Sequence, residues 1–142
     1  MLEGRRKNMA GSNTFGGTIK LEGEKAYRSA ISQINSELKV LASEMGKVSS
    51  TFGKNDKSVE HLIARNKVLT SEIEKQKAKI TTLKGAVEDS AKKYGEHDKK
   101  TNNWKVSLNK AEAELTKMEK NSKIIKTLWK RAKKQLKIIQ NL

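Results

Sequence analysis

The chain has 142 residues and a mass of 15.9 kDa, with 31 Lys+Arg against 16 Asp+Glu, a formal net charge of +15 and a pI near 10.0. Hydrophobic residues make up 35% and aromatics 4%, well under the share of an ordinary globular domain, so a large compact core is not expected. The absence of Cys excludes a disulfide framework, a thiolate metal site and a cysteine nucleophile, and no apolar run approaches the roughly 20 residues of a membrane-spanning helix.

Residues 1–22 differ from the rest in carrying Gly4, Gly11, Gly16 and Gly17, a basic cluster (Arg5, Arg6, Lys7) and a polar patch, Gly11-Ser12-Asn13-Thr14. Only Thr18-Ile19-Lys20-Leu21 alternates like a short strand, and the segment is expected to be a flexible arm. No apolar stretch follows the basic residues, so it does not read as a signal peptide. Glu3 to Met9 is what a purine-rich ribosome-binding site would encode if translated in frame. This places the expected start at Met9 and makes residues 1–8 an upstream extension, with a genuine basic arm as the alternative.

From Glu24 onward a seven-residue repeat keeps its phase, and no Pro interrupts it. One set of positions runs Glu24, Ile31, Leu38, Met45, Phe52, Val59, Asn66, Ile73, Ile80, Val87, Tyr94, Thr101, Leu108, Leu115, Ser122, Trp129, Leu136. The set three residues later runs Tyr27, Ile34, Leu41, Val48, Asn55, Leu62, Leu69, Gln76, Leu83, Ser90, His97, Trp104, Ala111, Met118, Ile125, Ala132, Ile139. Apolar side chains dominate both, which is the seam of a coiled coil or heptad-packed bundle. The fold class is therefore all-α: long heptad-repeat helices, as a coiled coil or as helical hairpins, behind a flexible N-terminal arm. Helix pairing is assigned to Ile31, Ile34, Leu38, Leu41, Leu62, Leu69, Ile73, Ile80, Leu83, Val87, Leu108 and Leu115. Asn66 and Gln76 interrupt the seam, either fixing register or marking a wet, loosely packed stretch.

A longer repeat overlies the first. Phe52-Gly53-Lys54-Asn55-Asp56-Lys57 returns 42 residues on as Tyr94-Gly95-Glu96-His97-Asp98-Lys99, a spacing of whole heptads. In each block Gly can end one helix in a left-handed conformation, and Asp can cap the next by accepting its free N–H groups. Gly53, Asp56, Gly95 and Asp98 thus mark two turns between helices near 24–52, 57–94 and 99–140. His61, at an outward position, and His97, in a turn, are expected on the solvated surface. Nothing suggests a catalytic, cofactor-binding or metal site, a cofactor or a small-molecule substrate.

The segment 121–142 contains no acid but carries Lys123, Lys126, Lys130, Arg131, Lys133, Lys134 and Lys137. Ile124, Ile125, Leu128, Trp129, Ala132, Leu136 and Ile139 line one face of this basic amphipathic helix. Lys126, Lys130, Arg131, Lys133, Lys134 and Lys137 are candidate anion-binding residues, for nucleic acid or an anionic membrane. The alternative is that the apolar face continues the bundle and the lysines are solvated.

Gly17-Thr18-Ile19-Lys20-Leu21-Glu22-Gly23-Glu24-Lys25-Ala26-Tyr27 and Ile34-Asn35-Ser36-Glu37-Leu38-Lys39-Val40-Leu41 resemble the N-terminal region of tail tape measure proteins from phages and prophages of Gram-positive bacteria. Phe52 to Ser58, Asn66 to Leu69 and Ala111 to Leu115 extend the likeness, which spans roughly residues 15–120 and divides the body into 23–120 and the basic segment 121–142. The resemblance implies a non-enzymatic virion structural protein. Such a helical scaffold lies in the tail lumen, with tail tube subunits and tail assembly chaperones gathering around it, and its length sets tube length. Self-association through the coiled coil is expected, with the phage tail or the host cytoplasm as location. Family members are several times longer, and the basic ending after Glu119 suits a truncated, split or frameshifted gene, so an N-terminal fragment, a prophage remnant or a short stand-alone relative is expected.

Overall fold

The computed structural model describes residues 17–53, 56 and 58–142, and the expectations for Met1, Met9 and the basic cluster lie outside them. The architecture is all-α. Helix α1 spans Glu24–Phe52 (29 residues), α2 Val59–Tyr94 (36 residues) and α3 Lys99–Gln140 (42 residues). The expected bounds agree to within a residue or two, because turn chemistry sets them. Gly53 and Gly95 have φ of 83° and 108°, the left-handed half of the backbone map that side chains disfavour, and their N–H groups donate to Ser49 and Ala91 carbonyls.

The two turns are not copies. Asp98 caps α3 by accepting from Lys100 N–H at 2.8 Å, whereas the cap of α2 is Ser58, which accepts from His61 N–H. Asp56 stands one step back and holds the Ser58 N–H at 2.8 Å; those backbone and side-chain bonds to Ser58 lower its carboxyl pKa. The second turn is also pinned from inside, since the Thr101 hydroxyl donates to the Gly95 carbonyl and meets Ser90 Oγ at 2.9 Å.

His61 corrects the surface expectation. Its ring is buried, stacks on Phe52 with centroids 5.0 Å apart, and bonds through Nδ1 to the Asp56 carbonyl. The side chain therefore closes the α1–α2 turn, leaving Nε2 buried without a partner. His97 is exposed.

Helix α2 runs antiparallel to both neighbours, facing α1 at Tyr27–Asp89 and Glu37–Lys75 and α3 at Ser90–Thr101 and Gln76–Ala111. One core cluster joins Ile80 and Leu83 to Ala111 and Leu115, with Ile31, Ile73, Trp104 and Leu108 packed against it. A second joins Leu62 and Leu69 to Ile125, with Met45, Met118 and Ala132 beside them. Of the assigned seam, Leu62, Leu69, Ile80, Leu83 and Leu115 are buried, and Ile31, Ile34, Leu38, Leu41, Ile73, Val87 and Leu108 are half-buried. Because α2 is covered on more than one side, it also buries Val68, Thr81, Thr82 and Ala86, positions a two-helix seam would leave outside. Gln76 is buried and donates to the Ala111 carbonyl at 2.9 Å, so this interruption fixes α2 against α3.

Where a flexible arm was expected, residues 17–22 instead form an extended strap along α2. Ile19 N–H donates to the Thr81 carbonyl at 3.0 Å. The Tyr27 hydroxyl accepts from Leu21 N–H and donates to the Asp89 carboxylate. Burial, then the bond to Asp89, push this phenol up to about 12. Lys20 pairs with Glu88 and lies 3.5 Å from Asp89; the hydrogen bond to Glu88 raises its pKa and lowers that of Glu88.

Candidate functional site

The acid-free end of α3 is where helical geometry gathers charge. Residues three and four apart on a helix are neighbours, so Lys126, Lys130, Lys133 and Lys137 fall on one stripe beside Trp129 and Leu136. All four are exposed, as are Arg131 and Lys134, which lie further round the helix. The Lys133 ammonium sits 4.5 Å from the Trp129 ring centroid, a cation–π placement that orients both side chains. None of the six cations makes an ion pair with a carboxylate among the described residues. Like charges at this spacing repel, and an anion laid along the stripe relieves that repulsion.

Beside the stripe, α2 and α3 leave a groove of about 580 Å³ lined by Ile63, Asn66, Lys67, Ile125, Lys126, Trp129 and Lys130. Ile63 is 52% exposed and Trp129 37%, so its apolar wall is open to solvent. Asn66 lies at this wall with a buried Oδ1 that has no partner. The interruption at 66 thus differs from that at 76, which is bonded across the helices.

Past Ala132, packed against the second cluster, every side chain of α3 is exposed. Leu136, Ile138 and Ile139 are among them, so the last turns hold apolar and cationic groups with no partner helix from the described residues. The six residues chosen from sequence as anion-binding therefore share one exposed end of one helix. Sequence reasoning missed Lys67, which joins the groove from α2; only the packing of α2 on α3 places it there.

Among the described residues there is no group of three or more His, Asp or Glu able to hold a metal ion, and no helix is long and apolar enough to cross a membrane. No family model, curated protein or solved structure matches the chain.

Proposed function

We propose that this chain is a non-catalytic helical scaffold of the phage tail tape measure type, working by presenting helix faces to assembling partners. The observation that carries the reading is the exposed amphipathic end of α3, where Leu136, Ile138 and Ile139 stand beside six cations. An isolated soluble helix end gains nothing from such a face, whereas a scaffold gains a docking surface for an acidic partner. Two further features support it. The heptad phase is kept across both turns, so the same stripe serves folded or straightened helices. The repeat from Phe52 to Tyr94 is 42 residues long, and residue number converts to helix length at about 1.5 Å per residue.

Inserting a second copy of that 42-residue unit in the native host tests the reading by tail length in electron micrographs. The expected gain is about 63 Å if the added residues are helical along the tail axis. Tails of unchanged length, or a host that makes none, overturn it.

A second reading rests on the lysine stripe itself: the chain binds nucleic acid or an anionic membrane through α3. It requires that duplex DNA or phosphatidylserine vesicles bind in low salt, and that Lys130→Glu with Lys137→Glu abolishes binding. Lack of binding to both at low salt removes it.

A further inference from the structure

Helices α1 and α3 run parallel to each other, each antiparallel to α2. In a closed three-helix bundle every pair of helices packs with axes about 8–10 Å apart. Here α2 approaches both neighbours, yet no Cα of α1 comes within 8 Å of a Cα of α3 among the described residues. Helices α1 and α3 therefore stand apart at backbone level on either side of α2 and meet only through side chains, such as Tyr27 against Trp104, which leaves room beside α2 for a further helix. That room is a groove of about 670 Å³ between α1 and α3.

Its floor is apolar. Half-buried Ile31 and Trp104 line it above the buried Leu83 and Ala111, and Tyr27 meets Trp104 edge-on at 6.4 Å. Its walls are low, because Ser32, Ser36 and Ser107 are small and permit close approach of another backbone. Its rim is cationic: Lys39, Lys79 and Lys110 stand with Glu114 as the one acid of the lining, while Arg28 is paired with Glu24 and lies 5.4 Å from the Trp104 ring centroid. Lys39, Lys79 and Lys110 have no ion-pair partner among the described residues.

We propose that this groove receives an acidic amphipathic helix from a partner protein, which completes a four-helix bundle on the floor of Ile31, Leu83 and Trp104. The charge decides the occupant. A second copy of this chain brings a net +15, and residues 1–16 bring Arg5, Arg6 and Lys7 against Glu3, so both are repelled by the rim that attracts carboxylates. The proposal extends the scaffold reading to a second surface, remote from the α3 stripe, and can fail alone.

The test uses the full chain with Trp129→Phe, which leaves Trp104 as the only tryptophan reporter. The probes are two synthetic helical peptides of identical Leu pattern, one with Glu and one with Lys at its polar positions. The Glu peptide is expected to shift Trp104 emission and bind at least about tenfold more tightly than the Lys peptide. Exchanging Lys39→Glu and Lys110→Glu is expected to reverse that preference, with circular dichroism showing the fold retained. Equal binding of both peptides, or a Glu-peptide affinity unmoved by the double exchange, overturns the proposal. So does a concentration-dependent dimer in sedimentation that the double exchange dissolves, since the occupant would then be a second copy. Lys130→Glu with Lys137→Glu, which disarms the α3 stripe, is expected to leave the Trp104 response unchanged.

Discussion

A glycine inside a helix costs about 1 kcal/mol relative to alanine, and Gly85 lies well within α2. The strap accounts for it. A Cβ on residue 85 would stand 1.9 Å from the Ile19 carbonyl oxygen and 3.1 Å from the Tyr27 ring. The nearer of these is backbone, which cannot turn aside as a side chain would. Gly85→Ala should therefore expel residues 17–22 while favouring α2 itself. Hydrogen exchange at the Ile19 and Leu21 amides is expected to quicken about tenfold, for the loss of roughly one net hydrogen bond, with helical ellipticity kept or raised. Protection unchanged at both amides would mean that this glycine does not seat the strap. None of this was legible from sequence: Thr18 to Leu21 offers only a four-residue alternation, and its partner lies more than 60 residues away.

Elements were far more legible than contacts. The phase of Ile31, Leu38, Leu62, Leu69, Ile80 and Leu83 located three helices, since a stripe of that period can be buried only by a helix. The same phase does not say how many helices share a stripe. Val68 and Thr82 on α2 are therefore buried outside the seam, and an outward heptad position does not place His61 in solvent when its ring closes a turn. Ser58 was likewise hidden by the resemblance of the two turn blocks, which put Asp56 where Asp98 stands. Within α2, two buried residues separate the effects. Ile80, fully buried at the centre of the first cluster, should cost about 2–5 kcal/mol when replaced by Ala, because the cavity adds to the lost transfer energy. Gln76→Leu keeps the volume and removes one hydrogen bond whose acceptor lies on a helical backbone, so its cost should stay within about 1.5 kcal/mol. Urea denaturation compares the two directly, and a Gln76→Leu loss as large as that of Ile80→Ala would show that the bond to Ala111, more than packing, joins α2 to α3.

For the molecule as a whole the dominant electrostatic quantity is the charge of +15. Ion pairs inside the described residues are few and exposed, such as Arg28–Glu24 at 2.7 Å, Lys105–Glu96 at 2.8 Å and Lys75–Glu37 at 3.3 Å. Pairs of this kind contribute little, and salt weakens them only slightly in absolute terms. Repulsion among the cations acts over longer distances and opposes the compact arrangement, in which α1 and α3 bring Arg28, Lys39 and Lys110 to the two banks of one groove. Raising ionic strength from about 0.01 M to about 0.15 M shortens the screening length from about 30 Å to about 8 Å, which removes most of that long-range term. The net effect of added salt is therefore stabilising, the reverse of what a fold held by surface ion pairs would show. Thermal melting in sodium chloride is expected to shift upward across this range. The acid-free end of α3 should gain as well, because Lys126, Lys130, Lys133 and Lys137 repel one another at helical spacing and no carboxylate among the described residues pairs with them. A melting temperature that falls with salt would mean that the ion pairs outweigh the repulsion, and would weaken the case that the groove needs carboxylates from outside.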